Sequence, residues 1–146
     1  MTNNKQFLFG SEVVVQAAID AGAEMMYGYP ITPATEVFTG WIGRGQKYLQ
    51  TEDEIAAGFA ICGAVLAGQK AFTATAGPGN TLMQDGLSMA EGMRLPFVMI
   101  VAQRGGPSSG TVIYSQQEVI LSCFGGNGEG LRLVYSPSSL LEVYTL

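Results

Sequence analysis

Four short segments of this chain hold residue types that do chemistry, each at the point where an apolar run gives way to a turn. In Gly28-Tyr29-Pro30-Ile31-Thr32-Pro33 two prolines stiffen the path, and Thr32 can present a hydroxyl beside exposed helix amides. Gln50-Thr51-Glu52-Asp53-Glu54 sets three acids at a helix start. Glu54 leads straight into Ile55-Ala56-Ala57-Gly58 and reads as the most buried of the three, with Glu52 and Asp53 facing water. A buried carboxylate keeps its proton or needs a partner, which is what a group that hydrogen-bonds a cofactor nitrogen must offer. Thr73-Ala74-Thr75-Ala76-Gly77-Pro78-Gly79-Asn80 is a small-residue turn that lets backbone approach a flat ligand. It has neither G-x-G-x-x-G nor Walker spacing, so phosphate cradling is not indicated. In Arg104-Gly105-Gly106-Pro107-Ser108-Ser109-Gly110, Arg104 is the only cation for nine residues on either side. An arginine at a strand's carboxyl end, in a glycine-rich loop, suits bidentate capture of a carboxylate.

Taken singly, each segment has a plainer explanation. A capped strand-to-helix turn, acids complementing a helix dipole, a tight turn and a surface arginine would account for them in order. Other chemistries are closed off by composition. The chain has no histidine, which removes histidine dyads and histidine metal sites. Cys62 and Cys123 stand in no C-x-x-C spacing, so neither a disulfide framework nor an iron–sulfur ligand set is expected here.

The elements that must position these segments follow from capping and periodicity. Ser11 is expected to cap a helix to Ala21, followed by a strand over Glu24–Tyr29. Thr32 should cap a second helix with Pro33 at its first position. Lys47–Gln50 reads as a short strand, Glu54–Ala67 as a helix closed by Gly68, and Lys70–Thr75 as a strand. A helix over Thr81–Met93 leads to Leu95–Gln103, the clearest buried strand, with an unbroken apolar run from Pro96 to Ala102. A helix from about Gln116, a strand over Leu131–Tyr135 and a helix starting at Ser136-Pro137 complete the order. Such alternation predicts an α/β fold, a doubly wound parallel sheet with helices on both faces. Residues 1–146 read as a single domain. The last helix runs to Leu146 without a cap, so a longer subunit truncated at its C-terminus is expected.

Hydrophobic residues make up 47% of the 146 and charged residues 13%, about half the ~25% usual for a soluble domain. So little charge cannot cover a free surface, and burial against other subunits, or self-association when alone, is expected. A net charge of −5 with seven scattered Lys and Arg argues against nucleic acid. The longest nearly apolar run, Ile55 to Gly68, is 14 residues, short of the ~18 that would indicate a membrane span. Met1–Gln6 is polar and unlike a signal peptide, so a cytoplasmic location is expected.

In this order the four segments resemble the alpha subunit of 2-oxoacid:ferredoxin (or flavodoxin) oxidoreductases, the pyruvate, 2-oxoglutarate and branched-chain 2-oxoacid enzymes. The matching stretches are Gly28–Pro33, Glu52–Ala57, Thr75–Gly79 with Leu82-Met83-Gln84, and Arg104–Ser108. The likeness runs from about Phe9 onward. It implies the pyrimidine-binding module of a thiamine-diphosphate site, with Glu54 as the acid that bonds N1′ of the aminopyrimidine. Gly63 and Gly68 fall where the family's helix has its glycines, which favours Glu54 over Glu52. Thr32 and Arg104 match residues that hold the 2-oxoacid carboxylate and keto group. Tyr29, Pro30, Thr75 and Pro78 would line the pyrimidine pocket.

The resemblance further implies oxidative decarboxylation of a 2-oxoacid, with coenzyme A collecting the acyl group and ferredoxin or flavodoxin the electrons. No G-D-G…N motif or cysteine cluster is present, so Mg2+ with the diphosphate, and the [4Fe-4S] clusters, would sit on a beta subunit and an iron–sulfur subunit. Thr111-Val112-Ile113-Tyr114 is apolar where a 2-oxoglutarate enzyme would benefit from a cation, which favours a monocarboxylic 2-oxoacid. Two alternatives stay open. One is a non-oxidative thiamine decarboxylase of the split-subunit kind, such as sulfopyruvate decarboxylase, and the other is a non-catalytic assembly scaffold.

Overall fold

The computed structural model describes residues 7–146, and the polar stretch Met1–Gln6 lies outside the described residues. In chain order the elements are α1 (Gly10–Asp20), β1 (Met25–Gly28), α2 (Thr35–Gly43), β2 (Tyr48–Gln50), α3 (Glu54–Leu66) and β3 (Ala71–Thr75). There follow α4 (Pro78–Leu82), α5 (Gln84–Met93), β4 (Val98–Val101), α6 (Val119–Phe124) and α7 (Leu140–Thr145). All strand pairs are parallel, in the order β2-β1-β3-β4. Chain order therefore reverses between β1 and β3, and a ligand of such a sheet binds where the carboxyl ends of those strands part.

Alternation along the strands sorts side chains to two faces. Met26, Phe72 and Ala74 pack with Val15 of α1 and with Val37, Phe38 and Trp41 of α2. Trp41 is fully buried edge-on against Phe72, and its indole N–H donates to the Lys47 carbonyl at 2.8 Å. On the opposite face Ala71 meets Ile61 and Ala64 of α3, with Tyr27 and Phe97 beside them. Helices thus cover both faces, as the alternation predicts. Behind this layer α3 crosses α5 at Gly58 and Gly86, where a Cβ added to Gly86 would lie 3.0 Å from the Gly58 Cα. Nearby the Cys62 thiol donates to the Gly86 carbonyl at 3.6 Å.

Several boundaries differ from expectation. Phe9, not Ser11, occupies the cap of α1, and Glu12 accepts its backbone N–H at 2.7 Å. Ala34, not Thr32, precedes α2, because the two-proline turn runs on before helical geometry begins. The expected helix over Thr81–Met93 starts three residues earlier, with Pro78 suited to the first helical position, and divides at Met83 into α4 and α5. β4 is shorter than Leu95–Gln103 and is not the buried centre of the sheet. Among the described residues it pairs only with β3, and Val98 is 59% exposed. Leu131–Tyr135 forms no strand, since it pairs with no strand and Arg132 is drawn instead to Glu91 and Gln84. The helix expected from Gln116 begins at Val119, and Ser139 rather than Ser136 caps α7, accepting the Glu142 N–H at 3.2 Å. Among the described residues no helix is long and apolar enough to cross a membrane.

Candidate active site

Each chemistry-bearing segment follows the carboxyl end of a parallel strand: β1 for Tyr29 to Thr32, β2 for Glu54, β3 for Gly77 to Gly79, β4 for Arg104. Asp53 caps α3 by accepting the Ala56 N–H at 2.7 Å, which fixes Glu54 as the first helical residue. Glu52 is exposed and Asp53 half-buried, whereas Glu54 is 5% exposed, the most buried of the three as the sequence indicates. Its side chain lies against Gly79, where an added Cβ would stand 2.5 Å from Oε1 and also overlap Thr75 Oγ1. Burial pushes the Glu54 carboxyl above the usual range. Its own backbone N–H and the more distant Arg104 charge oppose that, and the Asp53 charge adds to it. Its own backbone N–H is the donor that faces this carboxylate, and the Thr75 hydroxyl beside it is buried without a partner.

On the other side of the same turn lies Arg104, 7% exposed. Its Nη1 donates to the Thr32 carbonyl and its Nη2 to the Ser109 carbonyl, both at 2.9 Å, while Nε is buried and unpartnered. Gly77 makes room for it: with φ at +51° and an added Cβ only 2.6 Å from Nε, only glycine fits. Among the described residues no carboxylate lies within ion-pairing distance of this guanidinium, since the one salt bridge joins Arg132 to Glu91. Beside it opens a cavity of about 370 Å³ whose lining includes Gly77, Pro78, Arg104, Pro107, Gln117 and Glu118.

The structure thus brings Glu54, Thr75, Pro78, Thr32 and Arg104 around one turn. Thr32 contributes its carbonyl to Arg104, and its side chain is exposed. Tyr29, 40% exposed, and half-buried Pro30 continue from the carboxyl end of β1, take no part in these hydrogen bonds and do not line the cavity beside Arg104. Glu118 was not foreseen. It is 6% exposed, one oxygen accepts the Arg104 backbone N–H at 2.8 Å, and the other is buried without a partner. An acid just before the apolar run Val119-Ile120-Leu121 repeats the pattern of Glu54 and was the available signal. Asn80 and Gln84, quoted in the sequence without a role, are both buried and bonded to each other, and Gln84 accepts from Arg132 at 2.8 Å.

Because the Gly79 backbone sits directly on the Glu54 carboxyl, Gly79→Ala is expected to destabilise the fold by about 1–3 kcal/mol through overpacking. Thermal melts should show this as a lowered midpoint.

Comparison with known proteins bears on this geometry. Residues 16–146 match the family model described as pyruvate flavodoxin/ferredoxin oxidoreductase, thiamine diphosphate-binding. The chain is 38% identical to the 2-oxoglutarate synthase subunit KorA of Methanocaldococcus jannaschii, over 95% of its own length and 39% of that protein. It is 39% identical to the alpha subunit of 2-oxoacid:ferredoxin oxidoreductase 1 of Aeropyrum pernix, over 92% of its own length and 23% of that protein. A chain of the 2-oxoglutarate:ferredoxin oxidoreductase from Magnetococcus marinus, solved with 2-oxoglutarate, coenzyme A and succinyl-CoA bound, superposes with a TM-score of 0.89 at 37% identity. That match covers 94% of this chain and 25% of the other. The chain therefore spans about two fifths or less of the length of these relatives. With most of its length matched and its acid, turn and arginine gathered at one sheet end, the chain belongs to the pyruvate flavodoxin/ferredoxin oxidoreductase family, in its thiamine-diphosphate-binding segment.

Proposed function

We propose that residues 1–146 form the pyrimidine-binding module of a thiamine-diphosphate site, within the alpha subunit of a 2-oxoacid:ferredoxin or flavodoxin oxidoreductase. The observation that carries this reading is the pairing, across the Gly77–Gly79 turn, of a buried acid with a buried guanidinium that lacks an anion. A charge desolvated in this way favours a ligand that neutralises it.

The residues present fit the cofactor. Glu54, its carboxyl held up by burial, can share a proton with a ring nitrogen of an aminopyrimidine. Gly79 leaves a flat surface beside it, the Thr75 hydroxyl adds an unused donor and acceptor, and Pro78, Pro30 and Tyr29 stand around the same end. When bound, thiamine diphosphate would supply a nucleophilic carbon, once deprotonated, and an electron sink for loss of carbon dioxide from a 2-oxoacid. This chain's own part is narrower. Glu54 holds the proton at the pyrimidine nitrogen, and the turn excludes water from that contact. Arg104 uses two of its five N–H groups on the Thr32 and Ser109 carbonyls, which leaves Nε–H and further Nη–H groups for a carboxylate.

Mg2+ with the diphosphate would lie on a beta subunit, and [4Fe-4S] clusters on an iron–sulfur subunit that passes electrons to ferredoxin or flavodoxin. Relatives named as subunits support such a hetero-oligomer. Exposed Phe124, Leu131, Leu133 and Ile120 give this chain apolar surface for partners to cover. Free Cys62 and Cys123 support a cytoplasmic compartment. The cavity lining includes one cation, Arg104, and one acid, Glu118, which favours a 2-oxoacid with an uncharged side chain.

The test is reconstitution of the full-length subunit with its partners, scored for reduction of ferredoxin that requires both a 2-oxoacid and coenzyme A. Pyruvate or 2-oxoisovalerate should outperform 2-oxoglutarate in kcat/KM. Decarboxylation without ferredoxin reduction would replace this reading with the non-oxidative decarboxylase. Failure of the complex to bind thiamine diphosphate would leave the scaffold.

A further inference from the structure

The segment from Arg104 to Glu118 folds back on its own start. Gly105 donates to the Ile113 carbonyl at 2.9 Å, and Thr111 donates to the Gly105 carbonyl at 3.0 Å. Two consecutive side chains then close it. The Gln117 amide oxygen accepts the Gly106 N–H at 2.6 Å, and the Glu118 carboxylate accepts the Arg104 N–H at 2.8 Å. With Gly105, Gly106 and Gly110 inside it, such a loop has little intrinsic preference for one path. The closing bonds must therefore supply its order. The Glu118 bond joins a carboxyl oxygen to a buried main-chain donor, which is costly to leave without a partner.

We infer that Glu118 is a positioning residue for Arg104, with Gln117 as its companion, so that together they clasp the loop and hold the guanidinium at the mouth of the cavity. The inference rests on the proposed 2-oxoacid site and adds to it a residue that does not itself touch the substrate carboxylate. Arg104 is gripped at both ends: Glu118 fixes the backbone, and the Thr32 and Ser109 carbonyls fix the side chain. Removal of Glu118 leaves the Arg104 N–H a buried donor without a partner. The backbone must then shift toward water, and the side chain leaves its fork geometry.

The test uses the reconstituted full-length complex and three variants: Glu118→Ala, Glu118→Gln and Gln117→Ala. Glu118→Ala is expected to raise KM for the 2-oxoacid on the order of tenfold or more, with kcat and the KM for coenzyme A within about twofold. Glu118→Gln, which keeps an acceptor for the Arg104 N–H, should restore KM to within about threefold of the parent. Hydrogen exchange gives a readout independent of turnover. The Arg104 amide should be protected in the parent and in Glu118→Gln and should exchange freely in Glu118→Ala. Should Glu118→Ala not fold, Gln117→Ala must show faster exchange at Gly106 and a smaller rise in the same KM. Unaltered KM and protection in Glu118→Ala, or a Gln variant as impaired as the Ala variant, would overturn the clasp. A parent complex that turns over no 2-oxoacid refutes the proposed function, and the exchange rates then decide the clasp alone.

Discussion

Glu54→Gln in the assembled enzyme is expected to lower turnover by about 10²–10⁴-fold, the range for loss of a positioned proton-transfer group. The substitution is nearly isosteric, so the Gly79 backbone and Thr75 keep their neighbour, and only the capacity to hold and release a proton is lost. A second signature separates this from simple damage. Burial raises the Glu54 carboxyl above its ordinary range, with Asp53 adding to the effect and Arg104 opposing it. A raised acid binds its proton more tightly in the folded chain than in the unfolded one. Stability from that group is therefore full only at pH values below the ordinary carboxyl value of the unfolded chain, and it is lost as pH rises from there through the raised folded value. The Gln variant never ionises. It should melt at higher temperature than the parent near neutral pH, and the gap should shrink on acidification toward the carboxylate range. Melts at several pH values together with turnover provide the check. A variant that keeps its turnover removes Glu54 from the reaction.

The second large effect is expected at Arg104. Arg104→Ala should reduce kcat/KM for the 2-oxoacid by about 10²–10³-fold, since it removes the buried guanidinium that would pair with the substrate carboxylate. KM for coenzyme A should move far less. Arg104→Lys should recover little, because an ammonium cannot span the Thr32 and Ser109 carbonyls and still present a fork to a carboxylate. Steady-state kinetics with each co-substrate varied in turn makes the distinction. Equal losses for both co-substrates would point to a collapsed loop rather than a missing clamp.

The parts of this site that were legible in the sequence are those fixed locally. Glu54 could be chosen from three neighbouring acids because a helix start followed by Ile55-Ala56-Ala57-Gly58 leaves only one acid facing inward. Arg104 was marked by isolation from other cations after an apolar run. Parallel pairing and two covered faces followed from alternation. What escaped is non-local. Thr32 looked like a helix cap, yet its carbonyl serves an arginine 72 positions away, which nothing in a turn motif encodes. Glu118 falls within a helix expected from about Gln116, and its role is hidden because its partner is a backbone N–H 14 residues upstream. The run Leu131–Tyr135 has the composition of a strand, but a strand also needs a neighbour to pair with, and composition cannot report one.

The crossing at Gly58 and Gly86 sets a tolerance for the whole site. The two positions are not equivalent. A methyl on Gly58 would meet the Gly86 Cα at an ordinary 3.5 Å, whereas one on Gly86 would press at 3.0 Å on backbone that cannot rotate away. Gly86 therefore works as a missing shim. Inserting even one carbon there would pry apart α3, which begins with the acid, and α5, which continues from the short helix after the facing turn. A lesion at that remote contact would look, in a turnover assay, like a fault in the chemistry.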